Sequence, residues 1–219
     1  MKLKKKCEIA PEKLMPKISK AFQHPADILP YVSRVLLRAL LIRRLEQNGQ
    51  QFYKYKGTLY PSHLSNKSAA PFIFDKAKKY CRGKGIDIGG GTSPYPDAEL
   101  IENEPDQNAF CLDRYDDQSL DYVFSSHCLE HLDRWPAALK LWISKIKPGG
   151  CLFLYLPHHS MALWQPKGLW VGKEHKWSPS IEILLPFLRQ AELDVMDYQT
   201  NKDAYWSFHI AARKPNTSL

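Results

Sequence analysis

Gly85-Ile86-Asp87-Ile88-Gly89-Gly90-Gly91-Thr92 reads as a short apolar strand interrupted by one acid and closed by three glycines. Glycine is needed where the backbone takes a positive φ or where a ligand must approach it closely. In an open α/β sheet, ligands sit beyond the carboxyl ends of the strands. A glycine bend at the end of an early strand is therefore in the right place for a cofactor. A dinucleotide fingerprint would continue as G-x-G-x-x-G and open a helix. Here the sixth position is Pro94, followed by Tyr95 and Pro96, which argues against a pyrophosphate site.

Working outward, the chain alternates between strand and helix patterns. Strands are expected at about 85–89, 99–102, 121–126, 150–156, 193–200 and 206–213, with helices at 136–147 and 179–191. Such alternation predicts an α/β fold: a Rossmann-like, doubly wound, mostly parallel sheet with an antiparallel closing strand. Ala70–Cys81 reads as a short helix leading into it.

The order of motifs resembles the class I S-adenosylmethionine-dependent methyltransferases. Asp87, Gly89 and Gly91 match the D-x-G-x-G of that family's first motif. Ser119-Leu120-Asp121-Tyr122-Val123-Phe124-Ser125-Ser126, followed by His127-Cys128-Leu129-Glu130-His131-Leu132, is similar to its fourth strand and the segment behind it. Ile146-Lys147-Pro148-Gly149-Gly150 resembles the turn into the fifth strand, and Leu193–Thr200 with Trp206–Lys214 the closing hairpin. The resemblance covers residues 83–214 and implies S-adenosyl-L-methionine as cofactor. It assigns Asp87, Gly89, Gly90 and Gly91 to the pocket for the methionyl part. Glu102, with Glu104 and Glu99 behind it, would take the ribose hydroxyls, since a carboxylate offers paired acceptors. Asp113 would meet the adenine amino group, and Ser126 and His127 would lie near the cofactor. One departure stands out: only eleven positions and two prolines separate Gly91 from Glu102, so the family's first helix is shortened or missing. The reading requires the space beyond the bend to stay open, not closed by Tyr95.

Methyl transfer from a sulfonium is a direct displacement, in which the protein chiefly aligns the reactants. A hydroxyl acceptor also benefits from a base in the histidine range. His158 and His159 follow the fifth strand and are the catalytic candidates. His131 and His175 stand behind them, His131 reading as structural because Leu-Glu-His-Leu opens a helix. The 158–178 stretch carries Trp164, Trp170 and Trp177. Either these rings form a lid suited to a sugar face or another flat acceptor, or they fill core under a long loop. His175-Lys176-Trp177-Ser178 also resembles a segment of some bacterial methyltransferases associated with cell-surface carbohydrate.

The charge is unevenly divided. Residues 1–60 hold 13 Lys and Arg against 4 Asp and Glu, and the remainder 18 against 19. Two regions are expected: a basic helical extension over 1–60 and the catalytic domain over 61–219. From Ala26 to Gln47 the apolar residues recur at helical spacing among Arg34, Arg38, Arg43 and Arg44. This helix packs on the domain, lies on anionic membrane through residues 26–47, or, ranked last, meets nucleic acid. The five cysteines form no C-x-x-C pair, so no zinc ribbon or redox motif is suggested, and no metal site is expected. Dispersed thiols and the absence of a long apolar run point to a cytoplasmic protein, peripheral at the inner face of the membrane if the extension binds lipid.

The leading functional reading is methyl transfer to a small molecule or cell-surface glycan, at oxygen. A catalytically inactive, membrane-recruited binding module comes second. RNA methylation ranks third, because the 61–219 region is nearly neutral and no RNA-binding module is recognisable.

Overall fold

The computed structural model describes residues 28–65, 68–104 and 107–216. They fall into two compact units divided after Tyr60.

In the first unit, helix α1 (Ile28–Leu41) is followed by strands β1 (Arg43–Gln47), β2 (Gln50–Tyr55) and β3 (Thr58–Pro61), in the order β1-β2-β3. The helical spacing read as far as Gln47 thus holds only to Leu41, and residues 1–27 lie outside the described residues. The stretch Phe52–Pro61, read as irregular, is strand. Two tight turns explain the difference. Asn48 and Gly49 take φ of 51° and 76°, which lets β1 and β2 pair antiparallel from Arg43↔Lys54 to Gln47↔Gln50. Lys56 and Gly57 repeat this at 48° and 83°. Asn-Gly between apolar runs is a strong hairpin signal, and here it overrides the leucine spacing, leaving Leu45 opposite Phe52.

The second unit opens with short helical turns, among them α2 (Phe74–Ala77). Then come β4 (Gly85–Ile88), β5 (Glu99–Ile101), β6 (Leu120–Ser126), α3 (Trp135–Lys145), β7 (Ile146–Pro157), α4 (Ile181–Gln190), β8 (Asp194–Tyr198) and β9 (Ser207–Arg213). The six strands form one sheet in the order β5-β4-β6-β7-β9-β8. β5, β4, β6 and β7 run parallel, while β9 lies antiparallel between β7 and β8. This is the expected Rossmann-like sheet with its antiparallel closing strand.

Because successive side chains on a strand point to opposite faces, the register separates two layers. On one face, Ile86 pairs with Val123, Val123 with Leu152, and Leu152 with Ala212. That row packs against Leu139, Trp142 and Ile143 of α3 and Leu184, Leu185 and Leu188 of α4. On the other face, Asp87 pairs with Phe124, Phe124 with Phe153, and Tyr155 with His209. Its cover is aromatic and local. Tyr95 stacks on Phe124 at 4.7 Å, Phe74 meets Tyr95 edge-on at 5.5 Å, and Tyr80 lies over Phe153 at 6.0 Å.

No helix forms between Gly89 and Ala98. The prolines at 94 and 96 discourage one, and the Tyr95 ring, 4% exposed, occupies the sheet face that a helix would cover.

Candidate active site

The glycine bend leaves β4 at its carboxyl end. Gly89 donates its N–H to the Ile101 carbonyl of β5 (2.9 Å) and has φ +80°. A Cβ there would sit 2.7 Å from both Cβ and Sγ of Cys128, so only glycine fits. At Gly90 a Cβ would meet the Asp87 carboxylate at 2.3 Å. Gly91 is different: φ is +56°, and a Cβ would find nothing within 4 Å. Two glycines therefore pack on the chain itself and the third borders open space.

Asp87 is fully buried beneath the bend. One of its carboxylate oxygens accepts the Tyr95 N–H at 2.7 Å, and the other has no partner. Desolvation pushes its pKa up to about 7; the Tyr95 N–H opposes the rise and Glu102 adds to it. The acid thus fastens the 92–98 segment beneath the bend. The Tyr95 side chain runs away from it. Its hydroxyl donates to the Cys81 carbonyl (3.3 Å), and its ring lies edge-on to Tyr122, whose backbone pairs with Gly85 at the amino end of β4. Tyr95 does not close the space at Gly91.

Glu102, exposed just past β5, accepts the Gly91 N–H at 2.7 Å. One bond leaves most of a carboxylate's acceptor capacity unused. Ser126 ends β6 with a buried hydroxyl that has no hydrogen-bond partner. His127 follows at φ +49°, its N–H donated to the Tyr155 carbonyl (2.8 Å). Its ring lies edge-on to Trp164 (5.3 Å), Tyr155 (5.5 Å) and Tyr205 (5.9 Å), and its Nε2 meets Ser207 Oγ at 2.8 Å. Desolvation holds the His127 pKa well below the usual imidazole range.

Asp87, Gly89, Gly90, Gly91, Glu102, Ser126 and His127 therefore gather at the carboxyl ends of β4, β5 and β6. Asp113 does not join them by hydrogen bond or ion pair; it is exposed and contacts Cys111 Sγ at 3.8 Å. His158 and His159 follow β7, the strand beside β6, at the carboxyl end of the same sheet, and line a small cleft with Ser180, Ile181, Glu182, Thr200 and Phe208. Both ring nitrogens of His158 are engaged, Nδ1 with Ser160 Oγ (2.7 Å) and Nε2 with the Thr200 carbonyl (3.2 Å). A larger cavity, about 310 Å³, is bordered by Arg82, Gly83, Tyr95, Asp97 and Tyr122. It lies at the amino ends of the strands, the wrong end of an α/β sheet for a cofactor.

The 158–178 stretch folds partly into the core. Trp177 stacks on Trp135 (4.5 Å) and donates its Nε1–H to the Leu129 carbonyl (2.9 Å). Trp164 is 9% exposed, and Trp170 and Trp177 are half-buried, Trp177 against the core. For Trp164 and Trp177, filling the core under a long loop is what the rings do. Sequence reasoning missed Ser207 and Tyr205 beside His127, because β9 reaches them only through long-range pairing.

Residues 77–154 match the family described as "Methyltransferase domain". The matched stretch, about a third of the chain, carries a methyltransferase domain, and the sheet it belongs to has the class I fold. Its fold is shared by an S-adenosylmethionine-dependent methyltransferase from Thermotoga maritima, at 17% identity and a TM-score of 0.51, over 69% of this chain and 92% of that one. A methyltransferase crystallised with the Trm112 activator from Haloferax volcanii aligns at 14% identity and a TM-score of 0.50, covering 68% and 90%. At such identities the likeness is one of fold. No curated protein matches the chain. The cofactor of the methyltransferase domain is S-adenosyl-L-methionine. The residues present fit it: open space at Gly91, a carboxylate at Glu102, and orphaned acceptors on Asp87 and Ser126. Among the described residues no helix is long and apolar enough to cross a membrane.

Proposed function

We propose that this domain methylates a hydroxyl of a small molecule or a cell-surface glycan. The observation that carries the reading is the opening at Gly91, flanked by the Glu102 carboxylate at the carboxyl end of the sheet. When bound, S-adenosylmethionine supplies a sulfonium-activated methyl group. The chain's own part is alignment: Gly89 and Gly90 set the bend, Asp87 anchors it through Tyr95, and Glu102 offers acceptors to a diol. His127 and Trp164 border the end of β6, where an acceptor would have to approach, and half-buried Trp170 offers an aromatic face suited to a sugar. For a hydroxyl acceptor the candidate base is His159 rather than His158, because it is exposed and His158 has both nitrogens engaged. A cytoplasmic setting fits this cofactor.

Isothermal titration of the full chain with S-adenosylhomocysteine tests the reading, with Gly89→Arg as control. Saturable one-to-one binding, lost in the variant, is expected; a folded wild-type chain that takes up no ligand sinks it. Mass analysis of products from a panel of sugars and small alcohols then separates oxygen from nitrogen acceptors. Binding without turnover on any acceptor would favour the inactive-module reading.

A second reading concerns α1. Leu36 and Leu40 are 58% and 74% exposed, on a helix that also bears Arg34 and Arg38. This pairing suits an anionic bilayer surface. Flotation with vesicles containing phosphatidylserine should capture the chain and fail for a Leu36→Glu, Leu40→Glu variant. Capture unaffected by both substitutions would discard the membrane role.

A further inference from the structure

Behind His127, the single turn Leu129–His131 carries Glu130 fully into the interior. Neither of its carboxylate oxygens has a hydrogen-bond partner. A buried carboxylate is rarely left so, because burial without compensation is costly. Three imidazoles surround it instead. Glu130 Oε1 lies 3.6 Å from His127 Nδ1, 3.8 Å from His175 Nε2 and 3.9 Å from His131 Nε2.

The outward nitrogens decide what the inward ones can be. His131 Nδ1 faces the Glu174 carbonyl at 3.2 Å and must carry a proton to bond it, which leaves Nε2 as a lone pair. The His175 ring is likewise hydrogen-bonded to the backbone of Trp164. Ser207 Oγ donates to the Tyr205 carbonyl, so it accepts from His127 Nε2–H, and His127 Nδ1 is unprotonated. The interior of the cluster therefore presents a carboxyl group and imidazole lone pairs, with no ring N–H aimed at it.

We propose that Glu130, His131 and His175 bind one divalent transition-metal ion. Their ligand atoms all lie within 4.8 Å of one another. A shared proton serves poorly here, since the separations exceed hydrogen-bonding reach. Two atoms each about 2.0–2.2 Å from a tetrahedral ion lie roughly 3.4 Å apart, close to the 3.8 and 3.9 Å found from Glu130 to the two imidazoles. Two imidazoles and a carboxylate select zinc or a neighbouring first-row ion, whereas magnesium and calcium prefer all-oxygen sites. Outer carbonyls that orient the ligating rings are the usual support of such sites. His127 Nδ1 supplies a further nitrogen beside the same carboxylate oxygen.

The ion would join two segments 44 positions apart in sequence, where the Lys176 N–H already bonds the Glu130 carbonyl at 2.8 Å. It would thereby fix the 158–178 stretch, with Trp164, against the end of β6. None of this depends on the methyl-transfer reading, because metal content is measured without cofactor or acceptor.

The test uses the full chain, stripped with chelator, reloaded with Zn²⁺ and freed of excess ion by gel filtration. One equivalent of zinc per chain is expected by mass spectrometry, and Co²⁺ loading should give visible d–d absorption of a four- or five-coordinate site. Glu130→Gln and His175→Asn should weaken binding by at least about tenfold. His131→Asn alters a half-exposed ligand and keeps the test valid if the buried variants misfold. His158→Asn should retain full stoichiometry, showing that surface histidines are not responsible. A folded wild-type chain that retains no zinc and gives no cobalt spectrum overturns the proposal. Unchanged binding in folded His131→Asn and Glu130→Gln chains would do the same.

Discussion

The two faces of the central sheet are built from different chemistry. The face under α3 and α4 is dry and aliphatic: Ile86, Val123, Leu152, Leu154 and Ile210 meet leucines and one tryptophan. The opposite face holds buried Asp87, Ser126, Ser207 and His209 among Phe, Tyr and Trp rings. Several of its polar groups are tied individually, while Ser126 and one oxygen of Asp87 stay unpartnered. Tyr155 donates to Asp203 at 2.5 Å, and Asp197 accepts from Tyr80 at 2.8 Å while lying 3.3 Å from His209. The difference teaches where each kind of residue can be afforded. Regular helices shed water from one face, while on the other, loops bring polar groups to the ends of β4 and β6.

If this division is real, damage to the aliphatic face should cost stability and leave ligand affinity alone. Trp142 is fully buried in α3 and donates its Nε1–H to the Ala109 carbonyl at 2.8 Å. Trp142→Ala should lose about 3–5 kcal/mol in urea unfolding through the cavity and the orphaned carbonyl. The molecules still folded should bind S-adenosylhomocysteine within about twofold of wild type, an estimate for substitutions remote from a site.

Sensitivity to pH should belong to the other face. Burial raises the Asp87 pKa to about 7 in the folded chain, against 3.8 as its ordinary value. The folded state therefore favours the protonated acid. Its contribution is fully present below pH 4 and is lost as the pH rises through 7. The span is on the order of 4 kcal/mol at most. Asp87→Asn should flatten that part of the stability profile between pH 4 and 8, measured as the difference between the two unfolding curves. Parallel profiles would mean that Asp87 is ionised and compensated.

The strand–helix alternation was legible because each element of the second unit is periodic and bounded by Gly, Pro or charge. The glycine bend was legible for a steric reason: Cys128 and Asp87 leave no room for a Cβ at Gly89 and Gly90. Other features were hidden by long-range pairing. The loss of a helix was legible in Pro94 and Pro96, but nothing local says that the Tyr95 ring reaches Phe124 in its place. His175 meets Glu130 across 45 positions, and no spacing rule spans that distance. In the first unit the signal was present, at Asn48-Gly49, but the leucine repeat masked it.

Glu102 sharpens the comparison at the rim of the polar face. It is exposed, so Glu102→Gln should change stability little, yet it holds the Gly91 N–H and offers the acceptors proposed for the ribose. S-adenosylhomocysteine affinity should fall about tenfold to a hundredfold, the range for losing one or two charge-assisted hydrogen bonds. A 2′,3′-dideoxy analogue of the ligand should bind wild type and Glu102→Gln equally. If the variant still prefers the native ribose by the wild-type margin, the ribose acceptor is another group.

The smallest effect is expected at His158. Its ring bridges Ser160 and Thr200 and borders Phe208 and Ile181, which puts it on the aliphatic side of the division despite its polarity. Its pKa lies below the usual imidazole range, first through desolvation and then through the neighbouring His159. His158→Asn can keep one of the two bonds, so the loss should stay within about 1 kcal/mol, with cofactor affinity unchanged. His159→Ala should leave both quantities alone and lower only methyl transfer to a hydroxyl acceptor. Should His158→Asn instead abolish turnover while the fold and the ligand affinity persist, His158 rather than His159 would be the base, and the boundary between the two faces would have to be redrawn there.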